Sequence, residues 1–202
     1  MLFGKKVPIA LSILIWVVIW EIVGRSNIIF IFPPFTSVLR STFEILQVST
    51  FWDDVLLSLK SFGIGMGVSV LLGTVLGFLM GRFEKIDKML GMWLNIFISA
   101  PITALVPVIM VLFGIGTRTV TITVFMFAVW PLILDTRAGV WHVSESLVEM
   151  ARVFGASRLE IFTKVLFWAA LPEMLAGLKL AIIRGVRGMV VGQLLLLSLI
   201  HI

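Results

Sequence analysis

The chain has 202 residues, 60% hydrophobic and 13% charged, with a mean hydropathy of +1.15, against roughly 45–50% apolar and about 25% charged in an average soluble domain. A folded chain this short has too little interior to hide that much apolar surface, so a soluble globular domain is excluded and lipid is the remaining solvent. There is no cysteine to build a disulfide or thiolate site, two histidines are too few for a His-rich metal centre, and the 16 Lys and Arg behind the +5 charge are scattered between apolar runs, which argues against nucleic acid.

Crossing a bilayer takes about 20 mostly apolar residues. Five stretches are expected to do so: 7–23, 61–81, 89–114, 119–134, and one from about 172 to the end. The fold expected is therefore all-α, a polytopic membrane helix bundle. Lys5 and Lys6 precede the first stretch as they would in a secretory signal, but no small-residue cleavage site follows it, so it reads as a retained helix. The loop after it, 24–60, carries Pro33-Pro34, and Thr36 or Ser37 is placed to cap a short surface helix through Leu39, Phe43 and Leu46.

The second stretch repeats glycine at Gly73, Gly77 and Gly81, a spacing that lets another helix approach closely. Gly63, Gly65 and Gly67 superficially resemble a phosphate loop, but no strand precedes them, no Lys-Ser or Lys-Thr follows, and no G-x-x-x-x-G-K-[ST] occurs in the chain. Packing is the favoured reading. Pro101, Pro107 and Pro131 each remove a backbone donor and bend a helix. That suits a pathway that opens and closes, and it equally suits the ordinary proline content of membrane helices.

Basic residues are retained in short cytoplasmic loops. An inside N-terminus puts Lys5, Lys6, Arg82, Lys85, Lys88, Arg137, Arg152, Arg158, Lys164 and Lys179 on the cytoplasmic side and only Arg25, Arg40, Lys60 and Arg118 opposite. This makes 82–88 a tight internal turn, 115–118 a tight external turn and 135–171 a long internal segment.

In that segment Ser146 with Glu149, and Ser157 with Glu160, have capping-box spacing, so two helices are expected to start eleven residues apart. Gly155 between them is expected to be left-handed, and Pro172 to lie beyond the second helix. Leu147, Ala151 and Phe154 share one side of the first helix; Leu159, Phe162 and Leu166 share one side of the second. Such an element fits a groove on a partner or the lipid headgroup layer. In the last stretch Arg184 and Arg187 share a helix face and either attract an anionic solute or snorkel and pair structurally. Glu21 and Asp135, near span ends, read as interfacial.

Glu149-Met150-Ala151, three residues, Gly155, and Leu171-Pro172 resemble the cytoplasmic signature of permease subunits of binding-protein-dependent ABC importers, Glu-Ala-Ala, three residues, Gly, closing on Leu-Pro. Phe32-Pro33-Pro34, Pro101, Pro107, Phe113-Gly114-Ile115-Gly116, Pro131, Asp135-Thr136, Gly139-Val140 and Gly155-Ala156-Ser157-Arg158 extend the likeness to the nitrate, sulfonate and taurine branch, as far as about Val191. Met150, Trp168 and Gln193 depart from the pattern. Family members continue through a further span, so the resemblance implies a single transmembrane domain over 1–202, incomplete at its C-terminus, with Ser198 to Ile202 unlike native family sequence.

The resemblance further implies a multi-pass subunit of the bacterial inner membrane with a cytoplasmic N-terminus. It would pair with a second copy or a paralogue, engage two ATP-binding subunits, and receive solute from an extracytoplasmic binding protein. The chain itself would be no enzyme and hold no cofactor, ATP and Mg being bound by the partner. A coupling segment of about 136–172 would carry Ser146, Glu149, Ala151, Phe154, Gly155, Ser157, Glu160 and Pro172, and the solute pathway Pro101, Pro107, Arg184 and Arg187. Two other classes stand beside this reading: an ATPase-independent secondary transporter or channel, which leaves the signature unexplained, and a nonfunctional fragment.

Overall fold

The computed structural model describes residues 8–26 and 31–200, the side chains of 197–200 excepted. Lys5, Lys6 and Val7, where the first span was expected to begin, lie outside the described residues, as do His201, Ile202 and the side chain of Ser198. The fold is all-α, with no strand among the described residues: α1 (Ile9–Arg25), α2 (Phe35–Leu46), α3 (Ser49–Arg82), α4 (Glu84–Ser99), a 3-10 turn (Ile102–Leu105), α5 (Val106–Phe113), α6 (Thr117–Trp141), α7 (Glu145–Val153), α8 (Arg158–Glu160), a π-helical stretch (Ile161–Leu166) and α9 (Phe167–Ile200). Two compact units result, Met1–Leu56 and Leu57–Ile202.

In the first unit α1 has 17 residues, about 26 Å of helix against about 30 Å of hydrocarbon. Neither Thr36 nor Ser37 caps α2: its N-cap is Pro34, which has no side-chain oxygen. The task passes to Glu21, whose carboxylate accepts the Thr36 backbone N–H at 3.0 Å and its hydroxyl at 2.9 Å. Trp20 Nε1 donates to the Pro33 carbonyl at 3.1 Å, holding the double proline against α1.

α3 starts at Ser49, so the expected loop 24–60 is shorter than the hydropathy pattern implied. Asp53, Asp54 and Lys60 lower the hydropathy of 49–60, but no Gly or Pro interrupts it and helix propensity carries it. Gly73, Gly77 and Gly81 do mediate a close approach. A Cβ at each would stand 2.7 Å from Leu132 Cβ, 2.5 Å from Thr136 Cβ and 2.6 Å from Val140 Cβ, and one at Gly65 would stand 2.9 Å from Val124 Cβ. The partner number rises with the glycine number at a constant offset of 59, so α3 and α6 run parallel. Gly63 and Gly67 face nothing within 4 Å.

Parallel neighbours require the chain to return between them. The register sets Thr117 level with Ser58, so α4, the 3-10 turn and α5 carry the chain back along α3. The return is broken by a bend of 90° inside the expected span 89–114, at the first of the two prolines expected to bend it. Pro101 is the cause: it confines Ala100 to extended backbone (φ −70°, ψ 142°) and α4 stops at Ser99. Pro107 bends nothing, because it lies in the first turn of α5, where its missing N–H has no partner to lose.

α9 runs antiparallel to α6: Cβ atoms at Gly139, Gly177 and Gly188 would meet Glu173, Asp135 and Phe127. Gln193 Nε2 donates to Ser58 Oγ, tying α9 to α3 at the far end. α6 supplies the core on every level, with Val124 and Ala128 fully buried, then Val129 and Ile133 against Met80 and Leu94, then Val140 against Phe78 and Ala170. α6 outlasts the expected 119–134, and the segment after it shrinks to 142–157. Among the described residues three helices, Ser49–Arg82, Thr117–Trp141 and Arg158–Leu196, are long and apolar enough to cross a membrane, or four if the bent pair is one span.

Candidate functional site

The short-helix segment leaves the bundle at the Arg82 end. α7 begins two residues before the expected start: its N-cap is Ser144, without a side-chain cap bond. Ser146 and Glu149 therefore form no capping box. Ser146 Oγ instead lies 3.0 Å from Ser144 Oγ. The reason is backbone geometry: Ser144 holds the extended conformation of an N-cap (φ −63°, ψ 135°), which places Ser146 and Glu149 inside the helix.

The α7 C-terminus is as the sequence implies. Gly155 has φ +79°, the Ala156 N–H donates to the Ala151 carbonyl at 3.0 Å, and the Gly155 N–H to the Arg152 carbonyl at 2.9 Å. That double closure is a Schellman motif, which needs a left-handed residue at this position. Ser157 follows as a capped helix start: its Oγ accepts the Glu160 N–H at 3.3 Å, and its own N–H donates to Glu160 Oε2 at 3.0 Å. Lys164 Nζ holds the other carboxylate oxygen at 2.9 Å. Only Gly155 and Ala156 separate the two caps, and each backbone N–H from Phe154 to Ser157 is hydrogen-bonded.

Pro172 does not end the second helix. It lies inside α9, and the helix from Arg158 to Leu196 is 39 residues long, about 58 Å. Because α8, the π-helical stretch and α9 are continuous, a push on the elbow acts on one rod that enters the bundle. Outward from the elbow stand Val153 (85% exposed), Phe154 (83%) and Leu159 (71%), with Leu147 and Met150 beside them. Ala151 is half-buried and Leu166 buried. This apolar knob at the end of a membrane bundle has the shape of a docking element.

The other candidates are dispersed. Arg184 is half-buried on α9 and interacts electrostatically with Asp135 of α6, as Glu173 does; Gly177 leaves room for the Asp135 side chain, whose Cβ and Oδ2 would lie 2.8 and 3.2 Å from a Cβ there. Arg187 is exposed, as are Pro101 and Pro107. One feature the sequence reading passed over is the pairing of Asp87 with Arg137: Nε lies 2.5 Å from Oδ1, Nη2 donates to Oδ2 at 2.8 Å, and the guanidinium stands 4.1 Å from the Trp141 ring centroid. The pair pins the 82–88 turn to the end of α6. Fifty residues separate its members, so no local pattern announced it.

Residues 69–200 match the family described as the binding-protein-dependent transport system inner membrane component. The chain is 24% identical over 188 residues to a nitrate import permease protein of Leptolyngbya laminosa, covering 88% of this chain and 66% of that one. It is 25% identical over 200 residues to a taurine transport system permease protein of Escherichia coli, with 95% and 73% covered. It is also 25% identical over 184 residues to a formylaminopyrimidine transport permease protein of Halalkalibacterium halodurans, with 91% and 73% covered. The chain spans about two thirds of the length of such curated relatives, from 64% to 73%.

Proposed function

The chain belongs to the binding-protein-dependent transport system inner membrane component family, and from that premise we propose that it forms half of the solute pathway of an ATP-driven importer. Members of this family are integral membrane permease subunits rather than enzymes. In this reading 1–202 is one transmembrane domain, ATP and Mg are held by separate ATPase subunits, a second permease copy or paralogue completes the pathway, and an extracytoplasmic binding protein delivers the solute. The N-terminus and the Arg82 end face the cytoplasm, where Arg82, Lys85, Lys88, Arg152 and Arg158 gather. The solute is small, and a sulfonate, nitrate, bicarbonate or similar anion is the favoured class by analogy with relatives named for nitrate and taurine transport.

The observation that carries the proposal is the capped elbow with its exposed Val153, Phe154 and Leu159. Inserted into a groove of the ATPase, α7 and the elbow convert closure of the ATPase pair into movement of the 39-residue helix and so of the bundle. Glu149 and Ala151 lie on the inserted helix, Gly155 makes the turn, and Ser157 and Glu160 keep the rod intact to its first residue.

The test is a full-length permease co-expressed with its ATPase subunit, wild type against Gly155→Val and Gly155→Asn. A Cβ at Gly155 meets nothing within 4 Å, so only the backbone opposes substitution. Left-handed backbone costs an ordinary residue about 1–2 kcal/mol, and asparagine tolerates it while a β-branched residue does not. Solute-stimulated ATPase and uptake should fall roughly tenfold or more for Val and only about two- to threefold for Asn. Full activity of the Val variant, or an ATPase that does not co-purify with the wild type, would overturn the reading.

A further inference from the structure

Behind α7, between the end of α3, the end of α6 and the helix that starts at Arg158, lies a cavity of about 1070 Å³, at the upper edge of the ~300–1,000 Å³ of ordinary ligand pockets. Its floor is apolar. Phe78 packs edge-on against Phe162 at 5.2 Å and stacks on Phe167 at 6.0 Å, with Val75 alongside. Three cations line it, Arg82, Arg152 and Arg158, against the single carboxylate Glu145. Among the described residues none of these arginines forms an ion pair with a protein carboxylate. Elsewhere in the chain the opposite is common: Arg25, Arg40, Lys88, Arg137 and Lys164 each hold a carboxylate.

Half-exposed aromatic rings stand at the level of the cavity: Phe83 (50% exposed) and Trp141 (55%) belong to its lining, and Trp168 (62%) packs edge-on against the lining residue Phe167; exposed tryptophans with other aromatic rings form the belt at the membrane–water boundary. The arginines thus stand at headgroup depth, and the phenylalanines lead from them toward the hydrocarbon. A cavity with a net positive rim and an apolar floor at that depth matches an amphiphile with an anionic head, since basic pockets between membrane helices bind acidic lipid headgroups.

We propose that this cavity is a binding site for an anionic phospholipid, the phosphate held by Arg82, Arg152 and Arg158 and an acyl chain lying along Phe78, Phe162 and Phe167. Val148 and Arg152 line the cavity from α7, whereas Phe154 and Val153 stand outward, so the lipid occupies the inner face of the helix whose outer side was assigned to the ATPase. The site does not depend on that assignment and requires only the membrane.

The test is native mass spectrometry of the purified full-length permease titrated with dioleoyl phosphatidylglycerol, dioleoyl phosphatidylcholine or inorganic phosphate. Phosphatidylglycerol should bind at least about tenfold more tightly than phosphatidylcholine. The variant R82Q/R152Q/R158Q should weaken phosphatidylglycerol about thirtyfold. Val75→Trp, which fills the floor and leaves every charge in place, should block it in a protein that unfolds at the wild-type temperature. If the triple variant does not fold, Val75→Trp alone decides. Equal affinity for the two lipids, or unchanged phosphatidylglycerol binding in either folded variant, overturns the site. Displacement of bound lipid by a hundredfold excess of inorganic phosphate overturns the lipid assignment in favour of a free anion.

Discussion

Substituting Gly77 by alanine tests the α3–α6 contact at its tightest point. The new methyl would stand 2.5 Å from Thr136 Cβ and 2.9 Å from the Ile133 carbonyl oxygen, where carbon contacts settle at about 3.5–4.0 Å. Neither neighbour is the end of a flexible side chain, so α3 and α6 must part locally by about 1 Å. A gap of about 0.5–1 Å already forfeits a quarter to a half of each contact's attraction. The flanking contacts at Gly73 and Gly81 share the loss, which puts the cost near the top of the about 1–3 kcal/mol of overpacked cores. At about 2–4 °C per kcal/mol for a chain this size, Gly77→Ala should lower the unfolding temperature by roughly 6–10 °C. Gly67→Ala is the control: the same chemistry on the same helix with nothing within 4 Å, and a helix-propensity gain of up to about 1 kcal/mol. The seven tryptophans make intrinsic fluorescence in detergent a direct reading. If Gly77→Ala melts within about 1 °C of wild type, or the two variants fall together, the parallel register is wrong.

The Asp87–Arg137 pair, with side chains only 13% and 17% exposed, should cost about 2–4 kcal/mol when either member alone becomes alanine. The double variant should recover at least about 1 kcal/mol of that, and additive losses in a double-mutant cycle would remove the pair from the account. Ser157→Ala deletes the hydroxyl that accepts the Glu160 N–H. Hydrogen exchange of amides 158–161 should quicken roughly fivefold, as expected for a lost cap of about 1 kcal/mol, with no change at Ser144, whose side chain caps nothing.

Short-range signals were legible. The Ser157–Glu160 box, the left-handed Gly155 and the Gly73, Gly77, Gly81 face depend on residues within a turn or two of one another, and each appears as the spacing implied. Signals with more than one local solution went astray. Ser144 and Ser146 both offer a hydroxyl, and backbone conformation chose the earlier. Pro172 reads as a terminator by composition, yet packing on α6 carries the helix through it, as neighbouring helices allow in a membrane. Pro101 and Pro107 look alike in the sequence, and only the first falls where a helix would otherwise continue. Long-range features left no trace in the order of residues. The charge pair from Asp87 to Arg137 and the cavity that gathers Arg82, Arg152 and Arg158 exist only once three helices are assembled.

The constant offset of 59 between α3 and α6 is also a delay. Chains grow at about 5–20 residues per second, so the glycine face of α3 exists for roughly 3–12 s before the residues it packs against have been made. Throughout that interval Gly73, Gly77 and Gly81 present lipid with no unsatisfied side chain, and the hydroxyl of Ser69 on the same face is satisfied within α3 by the Gly65 carbonyl at 2.8 Å. A face built from charges would need a partner in order to remain inserted. The stripe that permits the closest contact in the finished bundle is thus the surface best suited to waiting for it, and methyl groups added there should leave insertion unaltered and disturb only assembly.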